Sequence, residues 1–278
     1  MKRSVKAIIA ILVLSASLFA TGFKAQDESV NGQTSVAGDK DLTFTVNGKS
    51  FKMVFVEGGT FQMGKNERDE GAAHFSEAPA HKVTLSDYYI GETEVTQELW
   101  KAVMGNNPSI EFIGRRHPVT FVSYNVIVNE FLPKLNELTG ESFRLPTEAE
   151  WEFAARGGKK SHGYRYSGSD NYDEVAWCTD NVFLMESLHP VKSKEPNELG
   201  IYDMSGNVME WCSDWLGNYE NRAQTNPTGP STGEMHVMRG GCYDLSPDLA
   251  TVTARVTFGM PYETGCEPNH GFRLALKK

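Results

Sequence analysis

The run from Phe143 to Gly157 constrains the fold of this chain more than any other segment. It reads Phe-Arg-Leu-Pro-Thr-Glu-Ala-Glu-Trp-Glu-Phe-Ala-Ala-Arg-Gly. Thr147 and Glu150 have the spacing of a capping box, in which each side chain accepts a hydrogen bond from the other residue's backbone N–H. Acidic residues in the first turn favour a helix N-terminus, and a glycine commonly follows the last turn. The sequence therefore predicts a short helix that begins after Thr147 and stops at Gly157.

The segments before this helix predict a hairpin, a strand and two more helices. Leu42–Val46 alternates in polarity, Asn47-Gly48 suits a type I′ turn, and Phe51–Val56 supplies the second strand. A strand is predicted over His81–Leu85. Further predictions are a helix near Gln97–Met104 with Thr96 as N-cap, and one near Asn125–Leu138 with helical spacing of its apolar residues. Residues 65–80 are charged and small, which indicates a surface loop.

The second half of the chain has a different composition. From Gly158 onward Gly, Asn, Asp and Pro dominate. These residues favour turns, so we expect many loops, short strands and no long helix in this half.

The N-terminus has the pattern of a signal peptide. Lys2, Arg3 and Lys6 precede a fourteen-residue apolar stretch over residues 7–20. This stretch is too short to span a membrane. Cleavage is expected after Ala25, with Ala20 as the alternative, and an uncleaved anchor is the competing interpretation. The predicted organisation is a signal peptide at 1–25, a flexible linker at 26–41 and one domain at 42–278. The mature protein would be exported to the periplasm or the extracellular space, with no transmembrane anchor after cleavage.

The charge balance argues against a nucleic-acid partner. The chain has 27 basic and 36 acidic side chains, and removing residues 1–25 would take away four of the basic ones, leaving 23 and a net charge of −13. No run of Lys and Arg remains that could neutralise phosphates. An acidic surface favours cation binding or solubility instead.

Four cysteines remain in the predicted mature chain, namely Cys178, Cys212, Cys242 and Cys266. An even number of cysteines in an exported protein predicts one or two disulfides, and three pairings of the four are possible. A disulfide joining the loops that carry Cys242 and Cys266 is favoured over a reactive pair.

Four separated motifs resemble those of the formylglycine-generating enzyme family, the sulfatase-modifying factors. In order they are Gly58-Gly59-Thr60-Phe61-Gln62-Met63-Gly64, the Arg-Leu-Pro-Thr-Glu helix, Gly206-Asn207-Val208-Met209-Glu210-Trp211, and Arg239-Gly240-Gly241 paired with Gly271-Phe272-Arg273. The resemblance covers roughly residues 50–276. It implies the family's compact α+β fold, related to C-type lectins, with little regular secondary structure.

The resemblance also implies calcium sites. The family's calcium-binding turn matches the side chains of Asp203 and Glu210 and the carbonyls of Gly206 and Val208, and oxygen ligands of this kind suit calcium. The alternative is a buried, hydrogen-bonded turn without metal. Asn181 matches the start of a second calcium site, whose Asp-Gly-Phe loop is missing from this chain.

The family's oxidase chemistry requires two cysteines that this chain lacks. The resemblance places them at the positions of Leu245 and Ala250, which can neither bind copper nor exchange disulfides. No catalytic residue is therefore assigned, copper is not expected, and the second arginine of the family's Arg-x-x-x-Arg is replaced by Gly259.

The predicted function is consequently that of a binding protein. The inherited groove would be lined by Trp211, Arg239, Cys242, Tyr243, Asn269 and Arg273 and would hold a peptide, a glycan or an envelope protein. Two alternatives stay open. One is an oxidase of protein cysteine that uses relocated cysteines, and the other is a structural subunit of a cell-envelope assembly.

Overall fold

The structure is a computed structural model that describes residues 32–34, 40–65, 77–179, 187–256 and 263–278. The predicted signal peptide, most of the predicted linker, most of the predicted 65–80 loop, Asn181 and Gly259 lie outside the described residues. Among the described residues, no helix is both long and apolar enough to cross a bilayer.

The described elements are short strands and a few helices. The strands are β1 (Gly32–Thr34), β2 (Leu42–Val46), β3 (Lys49–Val56), β4 (Thr60–Met63), β5 (His81–Thr84), β6 (Tyr88–Gly91), β7 (Met209–Trp215), β8 (Gln224–Thr225), β9 (His236–Arg239), β10 (Arg255–Val256), β11 (His270–Gly271) and β12 (Ala275–Lys277). The helices are α1 (Gln97–Met104), α2 (Tyr124–Val126), α3 (Leu132–Thr139), α4 (Glu148–Ala155) and α5 (Tyr172–Val175).

The strands form three sheets. Their orders are β1-β2-β3-β6-β12, β10-β9-β7-β11 and β4-β5-β8. The first sheet joins the start of the domain to its end, because β6 pairs with both β3 and the C-terminal β12. The second sheet carries three of the motif segments, since β7, β9 and β11 lie side by side in it.

Several local predictions are confirmed. The hairpin forms with Val46 opposite Lys49, and Asn47 and Gly48 both have the positive φ that a type I′ turn requires (47° and 74°). Its second strand begins two residues earlier than predicted. The helix Gln97–Met104 has the predicted bounds and is capped by Thr96. The predicted strand at His81 ends at Thr84, one residue early.

The predicted helix near Asn125–Leu138 is confirmed with one difference. It runs over 124–139, but residues Ile127–Phe131 form a π-helical segment between α2 and α3. The widened turn presents Phe131 to the core, where its ring stacks on Trp100 at 4.8 Å and meets Phe272 edge-on at 5.3 Å. Sequence periodicity does not distinguish such a turn from regular helix.

Part of the predicted linker is structured instead. Residues Gly32–Thr34 form strand β1, which pairs with β2. Asp41 also belongs to the fold, because its carboxylate accepts a hydrogen bond from the backbone of Phe55 at 2.8 Å. Extra pairing is available here because β2 would otherwise be an open sheet edge.

Helix α4 is the central element of a hydrophobic core cluster that also contains buried residues of β3, β5 and β6. Trp151, Phe153 and Ala154 are almost completely buried on it. The capping box is present: Thr147 Oγ1 accepts from the backbone of Glu150 at 3.2 Å, and Glu150 accepts from the backbone of Thr147 at 2.9 Å. Gly157 follows the last turn with φ of 87°. The helix and both of its ends are therefore as the sequence predicts.

Replacing Thr147 with alanine should weaken the fold through this cap alone. The orphan N–H of Glu150 would lose its acceptor, so we expect Thr147→Ala to lower the free energy of unfolding by about 1 kcal/mol. Denaturant unfolding monitored by tryptophan fluorescence measures this. Thr264→Ala, an exposed threonine outside any helix, is the control and should change stability by no more than about 0.5 kcal/mol. Equal effects of the two variants would contradict the capping argument.

Candidate functional site

The turn before β7 and the loop after β9 are joined by backbone hydrogen bonds. Gly206 donates to the carbonyl of Gly240 at 2.8 Å, and Tyr243 donates to that of Asn207 at 3.0 Å. Gly206 has φ of 79°, and a Cβ there would lie 2.2 Å from the carbonyl oxygen of Trp177. Only glycine allows the backbone of Trp177 to lie so close to this turn. Two of the sequence motifs therefore form one unit.

Arg273 forms a buried ion pair with Glu210 beside this unit. Its Nε and Nη2 each lie 2.5 Å from a Glu210 oxygen, and its other donors contact the carbonyls of Gly91, Tyr202 and Asp203 at 3.0–3.3 Å. Neither side chain is exposed. Burial of the two charges is compensated because each of the three guanidinium nitrogens has at least one acceptor.

Arg239 is the second fully buried arginine. It contacts Glu152 of α4 and the carbonyl of Ala254, and its Nε lies 3.3 Å from a Glu148 oxygen. Its guanidinium also lies over the ring of Trp151 at 5.2 Å. Burial acts to raise the pKa of Glu152, but the positive charges of Arg156 and Arg239 hold it below its usual value.

These contacts change the interpretation of the predicted groove. Trp211, Arg239 and Arg273 have no exposed surface. They anchor the fold through contacts within the protein, since Arg273 pairs with Glu210, Arg239 pairs with Glu152, and the indole of Trp211 donates to the carbonyl of Val122 at 3.1 Å. Cys242 is also fully buried, so only Tyr243 and Asn269 among the predicted groove residues reach the surface.

The predicted calcium ligands do not fit that role as they are arranged here. Both oxygens of Glu210 are held, since Arg273 contacts each of them and the indole of Trp151 donates to Oε2 at 2.7 Å. The Asp203 carboxylate accepts from the backbone of Lys192 at 2.9 Å, and burial raises its pKa to about 6. The described residues contain no group of three or more His, Cys, Asp or Glu side chains placed to hold a metal. Calcium binding stays a prediction from the resemblance, and no step is derived through it.

The positions of the family's catalytic cysteines carry no reactive group. Leu245 packs against the main hydrophobic core, and Ala250 is buried at the end of a short 3-10 turn. The nearby thiol of Cys242 donates to Asp244 at 2.9 Å. Burial raises the pKa of this thiol well above its usual value, and the charge of Asp244 raises it further. A buried, protonated thiol is a poor nucleophile and a poor metal ligand.

The predicted disulfides are not formed. All four cysteines are described, and the structure contains no disulfide among them. Cys242 is buried and bonded to Asp244, whereas Cys266 is exposed. Cys212 lies in a different core cluster from Cys242. The even number of cysteines is therefore misleading here, because two of them, Cys212 and Cys242, are buried core residues that form no disulfide.

The exposed part of the groove is small and acidic. The side-chain amide of Asn269 donates to both oxygens of Asp244, at 3.1 and 3.2 Å. The ring of Tyr243 meets that of Phe112 edge-on, with centroids 5.6 Å apart. Burial raises the pKa of Tyr243, and the charges of Asp244 and Glu111 raise it further. Phe112 belongs to a loop for which the sequence motifs predict no functional role.

That loop follows α1 and exposes apolar side chains. Among the described residues, the exposed large hydrophobic side chains are Ile110, Phe112 and Ile113, with relative exposures of 74%, 36% and 65%. Phe112 has φ of 48°, a left-handed conformation that is rare for a bulky residue. The sequence contains only a weak signal for this surface. Three large apolar residues fall within four positions in polar surroundings, and periodicity alone cannot assign them to core or surface.

Gln97 holds this loop in place from the first turn of α1. Its Nε2 donates to the carbonyls of Phe112 and Pro118 at 3.1 and 3.2 Å. Its Oε1 accepts from Asn107 at 3.0 Å and from the backbone of Gly114 at 3.2 Å. A buried side chain with four hydrogen bonds to one loop fixes the loop's shape. We call Ile110, Phe112, Ile113 and Tyr243 together the apolar loop surface.

Comparison with known proteins agrees with the motifs. The sequence model of the sulfatase-modifying factor enzyme 1-like domain matches residues 42–278. Chaperone protein LppX of Paenibacillus barcinonensis is 32% identical over an alignment covering 90% of this chain and 93% of the relative. The formylglycine-generating enzyme of Streptomyces coelicolor is 30% identical, with 80% and 88% covered. The solved structure of Treponema denticola variable protein 1 has 32% identity and a TM-score of 0.76, covering 86% of this chain and 99% of that one.

The fold is therefore the α+β fold of the formylglycine-generating enzymes. The chain belongs to the sulfatase-modifying factor enzyme 1-like family, as a divergent member in which Leu245 and Ala250 stand where the family's resemblance places cysteines.

Breaking the Arg273–Glu210 pair should be strongly destabilising. Glu210→Gln keeps the size of the side chain but leaves the guanidinium of Arg273 buried without a countercharge. We expect a loss of about 3–5 kcal/mol in the free energy of unfolding, or failure to fold. Thermal and denaturant unfolding measure this loss. The control is Glu220→Gln, since Glu220 pairs with Arg222 in an exposed position; a comparable loss in both variants would contradict the assignment.

Proposed function

We propose that this chain is an exported sulfatase-modifying factor-domain protein without formylglycine-generating oxidase activity, which binds a polypeptide partner through the apolar loop surface. The observation that carries the proposal is the shape of the loop over residues 109–114. Three large apolar side chains are exposed there. Gln97 holds the surrounding segment over residues 107–118 with four hydrogen bonds, one of them to the carbonyl of Phe112.

The energetics of the loop support a binding role. A left-handed φ at a bulky residue such as Phe112 costs on the order of 1–3 kcal/mol, and strain of this kind persists at functional sites when neighbouring contacts impose it. Burying an exposed isoleucine or phenylalanine side chain against a partner contributes about 1.5–3 kcal/mol. A loop that is already ordered loses little further entropy on binding.

The chemistry of the neighbouring residues supports the loss of oxidase activity. Leu245 and Ala250 have no thiol, and the Cys242 thiol is buried and hydrogen-bonded to Asp244. Thiol oxidation that uses copper requires soft thiolate ligands in one site. The name of one relative, a chaperone protein, is compatible with binding, since a chaperone contacts apolar surface of other polypeptides.

The remaining expectations belong to the same proposal. An exported protein with the acidic composition predicted for the mature chain would meet its partner in the periplasm or outside the cell. The partner would be a peptide or an envelope protein, with a glycan as the less favoured choice because the exposed surface is apolar. Calcium at the turn over residues 203–210 would require Glu210 to leave Arg273.

The oxidase alternative is tested by direct assay. Purified protein loaded with copper(I) is incubated in air with a cysteine peptide that the Streptomyces coelicolor enzyme oxidises, and formylglycine is measured by mass spectrometry. We expect none from this chain, because Leu245 and Ala250 carry no thiol and the Cys242 thiol is buried and hydrogen-bonded to Asp244. Formylglycine formation that disappears in Cys242→Ser would overturn the proposal and establish an oxidase with relocated cysteines.

The binding role is tested by suppression of aggregation. Reduced insulin exposes apolar segments and aggregates, which light scattering follows. We expect the wild-type protein to slow aggregation and the double variant Ile110→Ser, Ile113→Ser to lose most of this effect, since two exposed isoleucines contribute about 1.5–3 kcal/mol each when buried. The double variant Ile110→Leu, Ile113→Leu keeps the apolar surface and should behave like wild type.

Three results would count against the apolar loop surface as the binding site. One is the absence of suppression by the wild-type protein, and the second is equal suppression by the serine and wild-type proteins. The third is an equal loss of suppression in the leucine variant, which would indicate damage to the fold. Thermal unfolding of all three proteins shows whether the variants are folded.

A further inference from the structure

A second candidate site lies in a cleft that shares no residue with the apolar loop surface. The cleft has a volume of about 410 Å³. One wall is the segment over residues 217–230, and the floor carries Glu148, Asp214 and Arg255. This volume lies within the range of small-molecule binding sites. We call it the Asp214 cleft.

Most charges on its floor neutralise one another. Arg255 contacts both oxygens of Glu148, at 2.6 and 3.0 Å, and donates to the carbonyl of Gly217 at 2.9 Å. The hydroxyl of Tyr219 donates to Glu148 at 3.1 Å. The Glu148 carboxylate is thus saturated by protein donors, and neither it nor Arg255 needs a ligand.

Asp214 differs from this pair. It is 3% exposed, and its Oδ2 accepts from the backbone of Glu148 at 3.1 Å and from the hydroxyl of Ser213 at 3.0 Å. Its Oδ1 has no hydrogen-bond donor among the described residues, and no cationic side chain pairs with it there. Burial, together with the charge of Glu148, raises the pKa of Asp214 to about 7. An ionised, buried carboxylate without a neighbouring cation is unfavourable unless a ligand supplies the positive charge.

The charge of the lining indicates what could supply it. The cleft is lined by three carboxylates and two guanidinium groups: Glu148, Asp214, Glu220, Arg222 and Arg255. Glu148 pairs with Arg255, and Glu220 pairs with Arg222. Arg239 also contacts Glu148, from outside the lining. Asp214 is the one lining carboxylate for which the described residues supply no ion pair, and it is buried. An anion would be repelled here, and a neutral alcohol would leave the charge uncompensated.

We propose that the Asp214 cleft binds a ligand through one positively charged nitrogen group, an ammonium or a guanidinium, that donates to Oδ1 of Asp214. The group would come from a free small amine or from a lysine or arginine side chain of a polypeptide. This inference is independent of the proposed function, because the two surfaces have no residue in common. It explains why an unpaired carboxylate occupies a buried position where the oxygen of an asparagine could accept the same hydrogen bonds.

Titration of 15N-labelled protein at pH 8 tests the proposal. The probes are n-butylamine, which is cationic at this pH, and n-butanol, which has nearly the same shape and no charge. We expect saturable shifts of the Gly217 and Gly229 amides with the amine and none with the alcohol. Asp214→Asn keeps an acceptor for Glu148 and should weaken amine binding about tenfold or more. Glu137→Gln, an exposed carboxylate of α3 that does not line the cleft, should bind within about twofold of wild type.

The two sources of the cation are separated by a third probe, lysine blocked at both ends. Tighter binding of blocked lysine than of n-butylamine indicates a polypeptide side chain, and the reverse indicates a free amine. Either result supports the site. Equal responses to amine and alcohol, unchanged amine binding in Asp214→Asn, or no saturable shift with either amine would each overturn it.

Stability against pH gives a readout that needs no ligand. The pKa of Asp214 in the fold is about 7 and its ordinary value is 3.8. Between these values the folded state holds a proton that the unfolded state releases, so this group's contribution to stability falls as pH rises from about 4 to 7. The titratable and charged groups that face Asp214 are Glu148, Glu150, Arg144, Tyr124, Cys212 and His236.

Asparagine has no such proton, and its amide keeps the acceptor. We therefore expect Asp214→Asn to have a higher melting temperature than wild type at pH 8, with the difference disappearing near pH 4. Glu220→Gln should show no such trend. A melting temperature of Asp214→Asn below that of wild type at pH 8 would mean that the carboxylate is satisfied within the protein, which would also overturn the proposal.

Discussion

The buried pair of Arg273 and Glu210 is the interaction on which the rest of the structure depends. Arg273 contacts the end of β6 through Gly91, the turn before β7 through Tyr202, and β7 itself through Glu210. Glu210 in turn accepts from Trp151 of α4. Segments that are far apart in sequence thus meet at two side chains. Loss of either partner would leave a charge in a place that water cannot reach.

This arrangement explains how the family resemblance can be strong although the cysteines expected of the oxidase are missing. The motifs that carry the resemblance contain Arg239, Arg273, Glu210 and Trp211, and all four are fully buried. They build the fold and do not contact solvent. Leu245 and Ala250, the positions that the resemblance assigns to the family's cysteines, lie in the loop after β9 and take no part in these buried contacts. The fold therefore does not require cysteines there.

The sequence predicts the local elements well and the non-local arrangement poorly. The hairpin at Asn47, the cap at Thr96 and the capping box at Thr147 are each determined by residues within a few positions, and all are confirmed. The burial of Arg239 and the role of Gln97 depend on partners up to 87 positions away or on loop backbone, which no periodicity records. The disulfide prediction was wrong because it used the number of cysteines and not their surroundings.

Within the described part of the chain, Asp214 and the exposed isoleucines lack the partners that Arg273 has. Each guanidinium nitrogen of Arg273 has an acceptor within the protein, so its contacts are explained by stability alone. The Oδ1 of Asp214 has no donor among the described residues, and Ile110 and Ile113 are apolar groups left in water. Each of these features makes the isolated fold less stable, and each could be removed by a single substitution without disturbing the sheets. Features that reduce stability yet are held rigidly in place are best explained by a partner that completes them.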